Sequence, residues 1–483
     1  MKEGYIPKDQ RKKILFLCDD IRFTSGISTM AKEIVIGTAH RFNWINLGAA
    51  ITHPDQGKRL DVSSDTNILT GINDASVYIY PTSGYGNPEV LRQLIDLEKP
   101  DVIIFFTDPR YWIWLFQIEN EIRRKIPLVY LNIWDDLPAP LYNKPYYESC
   151  DALMAISKQT YNINNMVLGD KAKDKVIRYV PHGINEEMFY PIDATNVKDF
   201  ALVQEMRKSF FGSNQPEYVV LYNARNIRRK CTSDLIAGYA RFCDEIGKEK
   251  ASKCALLLHT QPQDENGTDL QAVIDLFCDP EYQRVVFSTG RHSTQDMNIL
   301  YNTADVVALP SSNEGWGLSL TEAMMCGKPI IATVTGGMQD QMRFENDKGE
   351  WVDLTPDFPS NHFGTYKKCG KWAFPVFPSN MSIVGSLPTP YIWDDRADFR
   401  DIATEISKVY TLKIDQPQTY SEVSKAAREW VISDESMQSA RWMCKNVIST
   451  IDDTLANWKP RAKHELTKIK KLPKNKIVHP VTY

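Results

Sequence analysis

No stretch of about 18 consecutive apolar residues occurs anywhere in the 483-residue chain, which excludes a membrane-spanning helix of ordinary length. Its first residues, Met1-Lys2-Glu3-Gly4-Tyr5-Ile6-Pro7-Lys8, lack the apolar core of a secretion signal, and none is expected. There are nine cysteines but no Cys-x-x-Cys pair. That scatter fits free thiols in a reducing compartment better than a disulfide framework or a zinc site, so a cytoplasmic location is expected. Internal repeats of solenoid period and low-complexity tracts are also missing, leaving an ordinary globular chain too long for one core of usual size.

The formal net charge of -4 conceals a division. Residues 459–483 carry eight Lys/Arg against Glu465, a net of +7, which leaves -11 for residues 1–458. This basic tail is either a solvated terminus or a contact for a polyanion such as nucleic acid or an anionic membrane surface.

Short apolar runs alternate with longer amphipathic segments: Ile14-Leu15-Phe16-Leu17-Cys18, Val102-Ile103-Ile104-Phe105-Phe106, Leu128-Val129-Tyr130-Leu131 and Ala152-Leu153-Met154-Ala155-Ile156. Unbroken runs of this length are what parallel strands covered on both faces look like. The series restarts at Tyr218-Val219-Val220-Leu221-Tyr222 and continues to Ile330-Ile331-Ala332, which predicts two facing doubly wound α/β domains. The expected division is 1–195 for a first, acceptor-side domain, 196–214 for a linker and 215–415 for a second, ligand-binding domain. Residues 416–458 are expected to be helices returning to the first domain, followed by the tail. A Pro- and aromatic-rich insertion at 343–395 interrupts the second domain, as an ordered lid or contact surface or as packing peculiar to this chain. Ligands of such sheets sit beyond the carboxyl ends of the strands, so a cleft between the domains is the natural site.

The most informative stretch is Ser312-Asn313-Glu314-Gly315-Trp316-Gly317-Leu318-Ser319-Leu320-Thr321-Glu322-Ala323-Met324. It sets two carboxylates eight residues apart, one in a glycine-rich loop and one a turn or two into a helix, positions suited to grip the two sugars of a nucleotide sugar. Breaking a glycosidic bond to a diphosphate builds negative charge on the leaving group, which calls for fixed cations and backbone N–H groups. Arg225 and Lys230 lie directly beyond a strand, and Gly315 and Gly317 bare the backbone before a helix starting near Leu318. No Asp-x-Asp occurs, which disfavours a metal-bridged diphosphate, and no cofactor or metal is expected.

In this order of elements the chain resembles the retaining glycosyltransferases of family 4, which have the two-domain GT-B fold. The resemblance covers about residues 12–340 apart from 48–85 and is most specific at 285–340, where Glu314 and Glu322 match the E-x7-E motif. It implies that Glu314 contacts donor-sugar hydroxyls and Glu322 the ribose. Arg225 and Lys230 then form the diphosphate clamp, Gly317 and Leu318 offer backbone N–H groups, and Trp316 belongs to the same donor loop. Thr289-Gly290-Arg291 is implied to lie beside the nucleobase. Ser25-Gly26 is similar to the family's glycine loop near phosphate and acceptor, or is a simple turn. Where the family often has His-Asp this chain has Trp134-Asp135; Asp135 either faces the acceptor or caps its loop. His182 is expected near the interdomain hinge, with a structural role or one on the acceptor side.

The implied activity is retaining, metal-independent sugar transfer, UDP-sugar favoured, to a saccharide or glycoconjugate hydroxyl, or alternatively to a hydroxylated base of viral DNA in a host cytoplasm. The cations at both ends, Lys2, Lys8, Arg11, Lys12, Lys13 and the tail, are expected to flank the acceptor side, and for the second acceptor the tail and the 343–395 insertion would grip the strand. A nucleotide-sugar 2-epimerase and a non-catalytic binding protein are the competing classes.

Overall fold

The apolar runs form the strands that their composition predicts, buried on both faces. The computed structural model describes residues 4–353 and 360–461. Lys2, six residues of the insertion and the basic tail beyond Arg461 lie outside the described residues.

In the first domain the strands are β1 (Lys12–Asp19), β2 (Phe42–Ala50), β3 (Leu60–Asp61), β4 (Val77–Ser83), β5 (Val102–Phe106), β6 (Leu128–Asn132), β7 (Ala152–Ala155) and β8 (Val176–Tyr179). They form one sheet in the order β3-β4-β2-β1-β5-β6-β7-β8, parallel except for the short edge strand β3. The second domain holds β9 (Tyr218–Asn223), β10 (Cys254–His259), β11 (Val285–Ser288), β12 (Val306–Leu309), β13 (Ile330–Thr333) and β14 (Ala373–Val376), in the order β11-β10-β9-β12-β13-β14 and wholly parallel. Both orders reverse direction beside the first strand of the domain, which opens a crevice at the strands' carboxyl ends. Among the described residues no helix is long and apolar enough to cross a membrane.

Three features depart from the sequence reading. Residues 196–214, expected as a linker, contain the helix Val197–Phe211, and its Arg207 donates to the carbonyls of Thr303 at 2.5 Å and Pro216 at 2.6 Å. The insertion is not foreign to the sheet, since residues 373–376 supply its last strand. An antiparallel hairpin, β15 (Asn380–Ser386) and β16 (Thr389–Arg396), comes next in the chain. Finally, the cations near the N-terminus do not flank the cleft. Arg11 is buried against Asp74 at 2.6 Å, Lys12 pairs with Asp101 at 3.0 Å and Lys13 with Glu98 at 3.2 Å, at the start of β1 and so at the opposite edge from the crevice.

The helix Ala440–Asn457 crosses back to the first domain, where Cys444 packs so closely on Gly37 that a Cβ there would lie 2.3 Å from its sulfur. At the crossing, Ile184 N–H donates to the Gln438 carbonyl at 3.0 Å and Ala440 N–H to the Ile184 carbonyl at 2.9 Å.

Candidate active site

Beyond β12 the chain runs through Pro310-Ser311-Ser312-Asn313 to Glu314, which is 4% exposed and lies next to Asn313 and Arg229, two residues that line the interdomain cavity. Beyond β9, a turn of 3-10 helix at Arg228–Lys230 brings two cations to Glu314. Lys230 Nζ donates to Glu314 Oε1, and Arg229 lies 2.8 Å from the same oxygen. Arg229 also donates to the Asn313 carbonyl at 2.8 Å, and Ser312 N–H to the Arg229 carbonyl at 2.8 Å, so the two strand-end loops are stitched together. Burial alone would push the Glu314 carboxyl up; Arg229 and Lys230 outweigh it and hold it below the ordinary range. Burial in turn lowers the Lys230 ammonium, with Glu314 opposing. Two cations on one carboxylate leave a positive surplus suited to an anion.

Close packing fixes the loop that carries Glu314. A Cβ on Gly337 would stand 1.9 Å from the Gly315 carbonyl oxygen, and one on Gly315 would stand 2.7 Å from that of Ile133 in the first domain. Only glycine permits these approaches. Gly337 N–H donates to the Glu314 carbonyl at 2.8 Å.

Glu322 lies on the helix Leu318–Met325, half-buried. Tyr301 hydroxyl donates to its Oε2 at 2.5 Å and itself accepts from Asn223 Nδ2 at 2.7 Å. Burial raises the Glu322 carboxyl from 4.5 to about 7, with the Tyr301 hydrogen bond opposing. The helix has no side-chain cap, while Gly317 N–H makes a long contact of 3.3 Å with Gln341 Oε1. Gly26 opens the helix Gly26–Thr38 of the first domain, capped by Ser25 through Ser28 N–H at 3.0 Å. A Cβ on Gly26 would meet Leu318 at 3.2 Å, so the starts of these two helices face each other across the cleft.

Several expected residues stand elsewhere. Arg225 does not join Lys230: it is 63% exposed and bound to Asp264 at 2.7 and 3.1 Å. Its expected place beside Lys230 is held by Arg229, a residue that the run of three cations at 228–230 signalled without saying which would turn inward. Trp316 is buried, its indole N–H donating to Thr321 Oγ1 at 3.1 Å, so its ring is core and not ligand surface. Gly290 and Arg291 lie in an exposed loop beyond β11, the sheet's edge strand. His182 is buried against Phe106 with ring centroids 5.8 Å apart, and burial lowers it to about 3, which keeps it neutral and structural near the crossing of the C-terminal helix. Asp135 reaches the cleft; burial raises its carboxyl, with Arg229 opposing. Trp134 before it is buried and donates to the Asp136 carbonyl at 2.8 Å.

The cleft encloses a cavity of about 630 Å³ bounded by the loops of both domains and by the β15–β16 hairpin. Among the described residues no group of three or more His, Cys, Asp or Glu is arranged to hold a metal ion.

Residues 204–355, which carry this cationic cluster, match the family model of glycosyl transferases group 1. The solved structure of Anabaena HepE in complex with UDP and glucose aligns over 92% of this chain and 100% of its own, with a TM-score of 0.61 and 16% identity. Sucrose-phosphate synthase from Thermosynechococcus elongatus aligns over 92% and 100%, with a TM-score of 0.63 and 15% identity. The fold is GT-B. Among curated relatives, D-inositol 3-phosphate glycosyltransferase of Corynebacterium jeikeium is 26% identical over 191 residues, 40% of this chain and 43% of that protein. Mannosylfructose-phosphate synthase of Agrobacterium fabrum is 27% identical over 198 residues, 40% and 39% of the two chains. The match thus spans about two-fifths of these relatives. Glu314, Arg229, Lys230 and Glu322 all lie inside the segment that matches the family model.

Proposed function

We propose that the protein is a glycosyltransferase that moves a sugar from a nucleoside diphosphate sugar, UDP-sugar by preference, to an acceptor hydroxyl with retention at the anomeric carbon. The observation that carries this reading is the Glu314–Lys230–Arg229 cluster, a buried carboxylate with surplus positive charge next to the interdomain cavity. The complex of HepE with UDP and glucose, and the family model over 204–355, support it.

In this reading the diphosphate lies between the facing helix starts at Gly26 and Leu318, countered by Lys230 and Arg229. Arg225, at the mouth, exchanges Asp264 for a phosphate oxygen. Glu314 holds donor-sugar hydroxyls and Glu322 the ribose. Transfer runs on one face of the sugar: the acceptor oxygen bonds to the anomeric carbon as the bond from that carbon to the diphosphate oxygen breaks. The acceptor's proton passes to the departing oxygen, giving the glycoside and a nucleoside diphosphate. The countercharge comes from fixed side chains, so chelators should leave turnover unchanged.

The deciding experiment is binding and turnover of a panel of UDP-glucose, UDP-N-acetylglucosamine and GDP-mannose, followed by calorimetry and by release of nucleoside diphosphate. Failure of every donor to bind would overturn the reading. Turnover of a donor to its 2-epimer without acceptor would replace transferase by epimerase.

A further inference from the structure

The cavity has a wall that neither Rossmann-like domain supplies. The β15–β16 hairpin bridges the two domains and is tied to both. On the first domain, Trp393 N–H donates to the Leu137 carbonyl at 2.9 Å, Tyr391 hydroxyl to the Ala139 carbonyl at 3.2 Å, and Tyr142 hydroxyl to the Tyr391 carbonyl at 3.0 Å. On the second, Asp395 N–H donates to the Ser312 carbonyl at 3.1 Å and Arg396 pairs with Asp234 at 2.6 Å. Thr389, Ile392 and Asp394 of β16 line the cavity together with Asp135 and Arg229.

Charge decides what this space can hold. Three of its four arginines are engaged: Arg110 donates to Asp108 at 2.7 Å, Arg229 pairs with Glu314, and Arg396 with Asp234. Arg228 alone makes no ion pair among the described residues, whereas Asp135, Glu265 and Asp394 all line the cavity with no ion-pair partner within 4 Å among those residues. If Lys230 and Arg229 are turned to the diphosphate, the remaining space is acidic. Carboxylates facing aliphatic side chains such as Ile133 and Ile392 suit a sugar, whose vicinal hydroxyls donate to carboxylate oxygens and whose C–H face lies on carbon. A phosphate there would meet three carboxylates for one cation.

We propose that the hairpin is the third wall of the acceptor subsite, with Asp394 binding acceptor hydroxyls, and that this wall selects an uncharged polyhydroxyl acceptor against a phosphorylated one. The proposal rests on the transferase reading, and it sets this chain apart from the relatives whose names carry a phosphate. It also disfavours nucleic acid as acceptor.

The test measures nucleoside diphosphate release from the donor that the panel identifies, with glucose, maltose and sucrose each set against glucose 6-phosphate and fructose 6-phosphate at equal concentration. At least one neutral sugar should raise release tenfold or more over water, with both phosphates ineffective. Asp394→Ala should raise the KM for that sugar about tenfold and leave the donor KM within twofold, and Asp394→Asn should recover part of the loss. Because no hydrogen bond or ion pair holds the Asp394 side chain among the described residues, an unchanged melting temperature is expected and serves as the folding control. Faster release with a sugar phosphate, an unmoved acceptor KM in Asp394→Ala, or no stimulation by any of the five would each overturn the proposal. Donor binding and slow hydrolysis in those same assays would keep the transferase reading standing, whereas a protein that binds no donor fails it first.

Discussion

If Glu322 grips the ribose, donor affinity should depend on pH in a way that one substitution abolishes. Its carboxyl sits at about 7 in the free protein because burial penalises the charge. Ribose hydroxyls are donors and bind best to the ionised form. Donor binding therefore selects a state that is about 9% populated at pH 6 and about 91% at pH 8, which makes the apparent Kd roughly tenfold tighter at the higher pH. UDP-glucose is the right probe because its diphosphate diester does not titrate in this window, whereas the terminal phosphate of free UDP does. Isothermal titration at pH 6, 7 and 8 should give that slope for the native protein. Glu322→Gln keeps an acceptor oxygen but no charge, so it should bind with a flat profile and, at pH 8, roughly tenfold more weakly. The same group has a signature without ligand. A carboxyl raised from 4.5 to about 7 binds more protons folded than unfolded, so stability falls as pH rises through that window, by about 3 kcal/mol at most and less to the extent that water reaches the residue. A native Kd flat from pH 6 to 8, or a slope that survives in Glu322→Gln, would refute the assignment.

Lys230→Ala should lower kcat by about 10²- to 10³-fold, as for loss of one preorganised donor, and Arg229→Ala by a similar factor; single-turnover rates at saturating donor check both. Arg225→Ala should cost no more than about tenfold, since its exposed guanidinium must first leave Asp264; a loss equal to that of Lys230→Ala would place it in the clamp. Gly337→Ala drives a methyl into the Gly315 carbonyl and should destabilise by about 1–3 kcal/mol, read as a fall in Tm of several degrees with donor binding lost in step. Asp340 is raised by burial to about 6, with the Lys158 N–H opposing at 2.8 Å, so its folded form also binds the extra proton and loses stability as pH climbs from about 4 to above 6. Asp340→Asn should therefore raise Tm at pH 7.5, by up to about 3 kcal/mol of stability, and change nothing at pH 4.

Strand runs and the glycine loop were legible in the sequence because each is a local pattern: β-branched runs bounded by polar residues, and glycines next to a helix start. What escaped is long-range pairing. The helix Val197–Phe211 buries only Val203 and Phe211, so it shows no apolar stripe and reads as a linker. Spacing located the cationic loop after β9, yet the choice between Arg225 and Arg229 is made by Asp264, some forty residues away, which captures the first and leaves the second to Glu314. Trp316 was placed in the donor loop by resemblance, but Thr321 and the core claim its ring.

The hairpin shows why such pairings matter for motion. Asp395 is fully buried, and its Oδ2 accepts from Thr335 at 2.7 Å and Ser360 at 2.5 Å while its N–H serves Ser312. Lifting β16 from the second domain would strip three hydrogen bonds from buried groups, at about 1–3 kcal/mol for each group left unpaired. Peeling it from the first domain breaks, among the described residues, the hydrogen bonds of Tyr391 and Trp393 with the loop at 137–142 and the packing of the half-buried Trp393 on the first-domain core. The hairpin is thus anchored more firmly to the second domain, as a wall and not an independent lid. On the transferase reading, separation of the domains would turn about the crossing at Ile184 and Ser439, where two backbone hydrogen bonds join the chain segments and can act as the pivot.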